Sequence, residues 1–330
     1  MTESSQPSSG STASDSRPQL PPLPEPLTLR VQDKAIVKYI DIRPAGYSPD
    51  TTPTIVLVHG CPGSYKDFRH IIPLLQERAR VVALTLPGFE DSEVIDLDNR
   101  FEHVTALGIA EITYAALSDI CGDAKHVFLV GHSLGGHTVT SLAALNLERR
   151  KLSVRGVGFL SSAGHRRHYP EWGIWSVLFG SFDRLIRARL PVLTPGAEAI
   201  ARAVITKGAG FPDSDGSSHF AATVVRLTST DYDLVNEHCR QIAHIPAFAA
   251  WAKDDHIISE EIFLRKSAES HPGPRFAFET GGHNIQKTKA SILGPELAQW
   301  AADIAVQADD GSSSRSGAGV VTQGSLQSKL

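Results

Sequence analysis

The sequence predicts an α/β fold: a mostly parallel central sheet, helices on both of its faces, and a helical insertion late in the chain. Three observations carry this. Short continuous apolar runs rich in β-branched residues, such as Thr54–Val58 and His126–Val130, recur along the chain, as expected of parallel strands covered on both faces. Segments with helical spacing of apolar residues separate them. The stretch Gly131-His132-Ser133-Leu134-Gly135-Gly136 lies between the run ending at Val130 and a helical segment, so strand, sharp turn and helix follow one another there.

The 330 residues, 41% of them hydrophobic, suit one large domain with an insertion. A formal net charge of -4 is no nucleic-acid footprint. No apolar run reaches the roughly 20 residues that span a bilayer, so a soluble protein without a transmembrane segment is expected. Cys61, Cys121 and Cys239 are too few and too scattered for a disulfide framework or a zinc cluster. That pattern fits a reducing compartment, and no metal is expected.

In order, residues 1–26 are rich in Ser, Pro, Gly and Gln. They lack the apolar centre of a signal peptide and the Arg-rich, acid-poor pattern of a mitochondrial presequence, and read as a disordered tail. The first part of the core is expected over 27–163. Leu27–Val31 and Ala35–Ile42 pair as strands about Asp33-Lys34, and Thr54–Val58 empties into His59-Gly60-Cys61-Pro62-Gly63-Ser64. Asp67–Glu77 places Phe68, Ile71, Ile72, Leu74 and Leu75 at helical spacing, Val81–Leu86 is a strand closed by Pro87-Gly88, and His103–Ile120 is a longer amphipathic helix. The helix Thr138–Leu147 and the strand Val154–Leu160 follow the central turn. Residues 164–244 break this rhythm: Trp172, Trp175, Phe179, Phe182, Leu185-Ile186 and a Pro-interrupted run through Ala197 to Ile205 read as several helices. The core resumes over 245–306 with strands Ala247–Ala252 and Arg275–Glu279 and a helix from Ile285 to Val306. Residues 307–330 are Ser/Gly-rich and read as a second disordered tail.

In the central turn, Gly131 and Gly135 leave room for a tight bend with Ser133 at its apex, its hydroxyl projected above the sheet. The order of His-Gly loop, Pro87-Gly88-Phe89 turn and Gly-His-Ser-Leu-Gly-Gly elbow resembles the α/β-hydrolase superfamily, from about Leu27 to Ala305. The resemblance implies an α/β-hydrolase fold in which 164–244 is a cap over the site. It also implies an oxyanion hole of two backbone N–H groups, one from Leu134 and one from the His-Gly loop. Pro62 has no N–H to give, so Cys61 is the expected donor and Gly63 the second choice. The Cys61 thiol reads as a small side chain at a crowded loop rather than a nucleophile. Relatives carry the triad acid in a Gly-x-x-Asp-Pro frame followed by two apolar residues. That frame laid on Lys253-Asp254-Asp255-His256-Ile257-Ile258 selects Asp255, with Asp254 as the alternative. No carboxylate follows the preceding strand, where Ser161-Ser162-Ala163-Gly164 stand. Gly281-Gly282-His283-Asn284 matches the family's final histidine turn and makes His283 the expected base, while His132, His256 and His271 read as packing or surface residues. One departure is visible: Glu90-Asp91-Ser92 stands where many relatives have Gly-x-Ser, which leaves the shape of that loop open.

Ser133, Asp255 and His283 occur in the chain order of that family's triad. A serine hydroxyl becomes a nucleophile when a neutral imidazole takes its proton and a carboxylate fixes the imidazole tautomer. The expected activity is hydrolysis of a small-molecule acyl ester or thioester through a covalent acyl-serine, with no cofactor. A carbon–carbon lyase on the same scaffold and a non-catalytic ligand-binding protein are the other readings. The related haloalkane dehalogenases and epoxide hydrolases use an aspartate at the elbow, where this chain has Ser133. From Gly164 to Gly210 there are seven Arg or Lys against three acids, either a solvated helix face or a field that draws anionic substrates such as acyl-CoA. The chain closes with Ser328-Lys329-Leu330, the peroxisomal address read by an import receptor, so a peroxisomal location is expected.

Overall fold

Successive residues of the central strands face opposite layers, and both layers are apolar. The computed structural model describes residues 20–166, 172–191, 193–208, 213, 217–268 and 271–309. The strands are β1 (Leu27–Val31), β2 (Ala35–Ile42), β3 (Thr54–Val58), β4 (Arg80–Leu84), β5 (Glu93–Val94), β6 (Val127–His132), β7 (Val154–Leu160), β8 (Ala247–Ala252) and β9 (Arg275–Phe278). They form one sheet in the order β1-β2-β4-β3-β6-β7-β8-β9, with β5 on β2. β2 pairs antiparallel with β1, β4 and β5, and the sheet is parallel from β4 to β9.

The helices are α1 (Ile72–Leu75), α2 (Arg100–His103), α3 (Ala106–Cys121), α4 (Gly135–Arg149), α5 (Trp172–Arg187), α6 (Leu193–Ala203), α7 (Ser217–Thr228), α8 (Tyr232–Gln241), α9 (Glu260–Ala268), α10 (Ile285–Thr288) and α11 (Ala290–Asp309). Ile55, Leu57, Val81, Ala83, Phe128 and Val130 pack with α1 and α11 in one layer. Val56, Val58, Val82, Leu84, Val127 and Leu129 pack in the other, with α3, α4 and α5 to α7. This two-sided burial explains why the strands read as continuous apolar runs rather than alternating ones. Helices α5 to α8 lie between β7 and β8 in the chain. A smaller apolar cluster of Leu134, Ala163, Trp251, Ile258, Ile262 and Phe263 sits where β6, β7 and β8 end. Parallel strands put all their C-terminal ends on one edge, the place where open α/β sheets bind ligands. No helix among the described residues is long and apolar enough to cross a membrane.

Three helical segments depart from expectation, each for a local reason. The helix expected over Asp67–Glu77 is a 3₁₀ turn at Tyr65–Phe68 followed by the short α1. Asp67 closes the first turn by accepting the Ser64 N–H, and Pro73 lies in the first turn of α1, where a missing N–H is tolerated. The helix expected over His103–Ile120 breaks at Thr105, whose backbone is extended and whose hydroxyl accepts the Gly108 N–H at 3.0 Å. The last helix divides into α10 and α11 and continues past Val306 to Asp309. Thr288 at the end of α10 donates to the Gly281 carbonyl at 2.7 Å, tying that single turn back to the loop before it. The expected tail over 1–26 falls mostly, and Ser328, Lys329 and Leu330 fall entirely, outside the described residues.

Candidate active site

Strand β6 delivers the elbow. Ser133 is held at φ +52°, a left-handed conformation that costs a non-glycine residue about 1–2 kcal/mol. Three backbone bonds hold it there: its N–H donates to Leu160 at 3.1 Å, and its carbonyl accepts Gly136 at 3.0 Å and Ala163 at 2.9 Å. A Cβ on Gly131 would run into the Gly135 backbone, so the turn closes because that position is glycine. The Ser133 hydroxyl makes no hydrogen bond to a described residue, His283 included.

The His-Gly loop lies against this serine. A Cβ on Gly60 would stand 2.8 Å from that of Ser133. His59, fully buried, builds the loop: its Nε2 accepts the Leu86 N–H at 2.8 Å, which leaves the proton on Nδ1 to donate to the Gly60 carbonyl at 2.6 Å. Burial pushes its pKa down and keeps the ring neutral. Among the described residues the N–H groups of Cys61 and Leu134 donate to no protein acceptor, so both are free to bind an oxygen. The half-buried Cys61 thiol is pushed up to about 12 by burial, so it stays protonated at neutral pH.

The two adjacent aspartates divide their work. Asp255, 6% exposed, accepts Nδ1 of the buried His283 on Oδ2 at 2.9 Å. Its Oδ1 accepts the N–H groups of Ile257 at 2.8 Å and Ile258 at 3.0 Å. Burial raises the Asp255 pKa, but the bonds from His283 and the two amides outweigh it and hold the carboxyl below the usual range. Asp254 is exposed and turns the other way, accepting Gly281 N–H at 3.2 Å and Gly282 N–H at 2.8 Å. It therefore fastens the backbone of the turn that carries His283. His256 is exposed.

His132 does more than fill space. Its Nε2 lies 3.0 Å from the His283 carbonyl, to which it must donate, and its ring centroid is 4.9 Å from that of His283. Burial first, then the neighbouring His283, pushes its pKa down to about 3, so it remains a neutral donor. Gln286 approaches its other nitrogen at 3.4 Å. Asp255 and His283 thus bond at the ends of β8 and β9, beside His132, the neighbour of Ser133 at the end of β6, with His132 and Asp254 fastening the His283 turn.

Helix α7, part of the insertion expected as a cap, packs over this edge through His219 and Arg226, neither of which the sequence reading singles out. His219 accepts the Glu90 N–H at 3.2 Å, with Phe89 edge-on between His219 and His59. This contact holds the loop at Glu90, where the backbone has φ +38°. Ser92 turns inward, donating to the Thr85 carbonyl at 2.8 Å. The Thr223 hydroxyl donates to the His219 carbonyl at 2.9 Å, and Arg226 reaches the Leu134 carbonyl at 3.3 Å. The signal was available in Phe220–Leu227, where one arginine stands in an otherwise uncharged, mostly apolar segment.

The basic stretch of the insertion is largely spent on internal contacts. Arg187 bonds Asp183 at 2.9 Å and Glu102 at 3.0 Å. Arg189 donates to the carbonyls of Leu97 and Asp98 and lies over the Phe101 ring, 5.4 Å from its centroid. Arg166 pairs with Glu261 and Arg202 with Asp213. Arg187 and Arg189 tie the insertion to the 97–102 segment. Arg184 and Lys207 are exposed, and Arg167 lies outside the described residues.

Comparison with known proteins agrees with this architecture. The family model of the α/β-hydrolase fold matches residues 53–184. The chain is 25% identical over 256 residues to the uncharacterized hydrolase YugF of Bacillus subtilis, covering 75% of this chain and 89% of that protein. Among solved structures, the haloalkane dehalogenase DbeA of Bradyrhizobium elkani aligns with a TM-score of 0.64 at 15% identity, over 86% of this chain and 99% of that one. An esterase of Exiguobacterium antarcticum aligns with a TM-score of 0.61 at 15% identity, over 83% and 98%. Likenesses this distant establish the fold alone. The family match spans the first part of the core and YugF is similar over most of the chain, and both agree with that fold.

Proposed function

We propose that this chain, which has the α/β-hydrolase fold, is a serine hydrolase that cleaves a small acyl ester through a covalent acyl-serine. The observation that carries the reading is the buried bond at 2.9 Å between His283 Nδ1 and Asp255 Oδ2, on the sheet edge where Ser133 is held at φ +52°. Asp255 fixes the tautomer with the proton on Nδ1, which leaves His283 Nε2 free to take a proton from the serine.

The steps follow from these roles. Ser133 Oγ bonds to the acyl carbon as its proton passes to His283 Nε2, and the carbonyl oxygen takes the negative charge. The Cys61 and Leu134 N–H groups receive that oxyanion. When the carbonyl re-forms, the bond to the alcohol oxygen breaks and His283 returns its proton to the leaving group. Water then repeats the sequence on the acyl-serine, releasing the acid and restoring the Ser133 hydroxyl. A serine at the elbow favours this acyl chemistry over schemes with a carboxylate nucleophile. The thioester reading drew on the basic stretch, whose arginines are mostly paired within the chain, so an oxygen ester is the substrate class best supported. Ser328, Lys329 and Leu330 are proposed to direct the enzyme to peroxisomes through the import receptor.

The test is turnover of a panel of p-nitrophenyl esters of graded chain length. Ser133→Ala should lose about 10⁶-fold in kcat on the best of them. A variant that keeps more than a tenth of parental activity would remove Ser133 from the mechanism.

A further inference from the structure

A buried guanidinium without a carboxylate stands beside the elbow. Arg226 on α7 is 2% exposed. Its Nη1 donates to Thr230 Oγ1 at 3.2 Å, and its Nη2 to the Leu134 carbonyl and Thr138 Oγ1, each at 3.3 Å. All three partners are neutral. Among the described residues, Cys61 and Tyr232 are the titratable groups that bear on its charge, and no Asp or Glu pairs with it. Burial lowers its pKa, yet a guanidinium stays charged at neutral pH.

The position is unfavourable twice over. An unpaired charge out of water is costly in the same way as a buried ion pair that has lost one partner. Leu134 is moreover the N-cap of α4, the positive end of a helix dipole, where an anion is stabilising and a cation is not. One event in the proposed reaction relieves both defects: the appearance of a negative oxygen between the Cys61 and Leu134 N–H groups. Arg226 borders both members of that pair, through the Leu134 carbonyl on one side and the field at Cys61 on the other. Arg226 bonds the Leu134 carbonyl and His219, on the same helix, accepts the Glu90 N–H, so α7 is fastened to the elbow and to the loop at Glu90.

We propose that Arg226 is a positioning residue that supplies the fixed positive charge of the oxyanion site. It touches no substrate atom and favours the charged tetrahedral intermediate over the neutral ester. The inference rests on the serine-hydrolase reading above. Preorganised charge aimed at the transition state acts on kcat rather than on substrate binding. Because the charge is buried, its effect is insensitive to salt.

Two variants separate charge from hydrogen bonding. Arg226→Gln keeps a donor for the Leu134 carbonyl and removes the charge; Arg226→Lys keeps the charge and removes the planar fork. On a neutral p-nitrophenyl ester, the Gln variant should lose about 30-fold in kcat with KM within about two-fold, the scale of a unit charge several ångströms away at an effective permittivity near 20. The Lys variant should stay within about five-fold of the parent, and the parental kcat should not change between low and high salt. Labelling by a fluorophosphonate, which builds a tetrahedral adduct on the serine, should slow in the same order. If one variant fails to fold in a thermal melt, the other still decides: a folded Lys variant with kcat reduced about 30-fold, or a folded Gln variant with parental kcat, overturns the proposal. A loss confined to KM for an ester bearing a carboxylate also overturns it, in favour of a substrate-anion contact. Failure of the parental protein to take the fluorophosphonate would instead strike the serine-hydrolase reading itself.

Discussion

Replacing Asp255 by asparagine is a sharp perturbation because the structure dictates how the new amide must sit. The two inward amides, Ile257 and Ile258, both donate to Oδ1 of Asp255, and only the carbonyl oxygen of an asparagine can accept them. The amide NH₂ is then forced toward His283 Nδ1, 2.9 Å away from the oxygen it replaces. Two donors cannot face one another, so the imidazole moves its proton to Nε2 and can no longer accept from Ser133. The same substitution in the comparable triad lowers kcat by about 10⁴. Asp254→Asn is the control. It retains an oxygen for Gly282 N–H, loosens the hold on Gly281, and should cost about ten-fold through displacement of the His283 turn, within the range that small misplacements produce. The assay is kcat on a p-nitrophenyl ester for both variants at one pH, with thermal melts confirming the fold. Equal losses, or a larger loss in Asp254→Asn, would refute the division of labour between the two carboxylates. A pH series adds a sign. Asp255 has a depressed pKa in the folded state, so its stabilising contribution is complete above the ordinary aspartate pKa of about 3.9 and disappears as pH falls through the lower folded value. The gap in Tm between the parent and Asp255→Asn should therefore close on acidification.

Other consequences are checked more simply. With its thiol pushed up to about 12, Cys61 should remain unalkylated by iodoacetamide at pH 8 in the folded protein and react once it is unfolded; rapid native labelling in a peptide map would contradict a thiol held protonated. Replacing Arg184, Arg187 and Arg189 together by glutamine should lower activity on a neutral ester and on an acyl-CoA alike, because Arg187 and Arg189 fasten the insertion to Glu102, Leu97 and Asp98. A salt-dependent loss on the acyl-CoA alone would restore the electrostatic reading of that stretch. Removing Ser328 to Leu330 should leave turnover in vitro unchanged and move an N-terminally tagged protein to the cytosol; persistence in peroxisomes by microscopy would count against the signal.

What could be read from the residues alone was what the local chain decides. β-Branched runs buried on both faces announce parallel strands, and the bend at Ser133 is legible because its glycines and flanking apolar runs are contiguous. The choice between Asp254 and Asp255 rested on a frame shared with relatives. In the structure it turns on which carboxylate faces inward to His283, a fact set by the Ile257 and Ile258 amides and written nowhere in the spacing. The breaks at Thr105 and Pro73 carried capping and proline signals that an apolar period overrides when read alone. Arg226 shows the other limit. Two of its three partners lie 88 and 92 residues away in the chain, so the apolar run around it hints at burial but not at what it reaches until α7 is laid over the elbow. Arg187 and Arg189 were likewise ambiguous, because Glu102 and the Leu97 and Asp98 carbonyls that they reach belong to the 97–102 segment.

The central claim is that Ser133 carries the acyl group. Reacting the full chain with a fluorophosphonate and mapping the adduct by tandem mass spectrometry tests it directly. One adduct per chain is expected, on Ser133, formed in the parent and absent from Ser133→Ala. An unlabelled parent, or an adduct on any other residue that persists in Ser133→Ala, would contradict it.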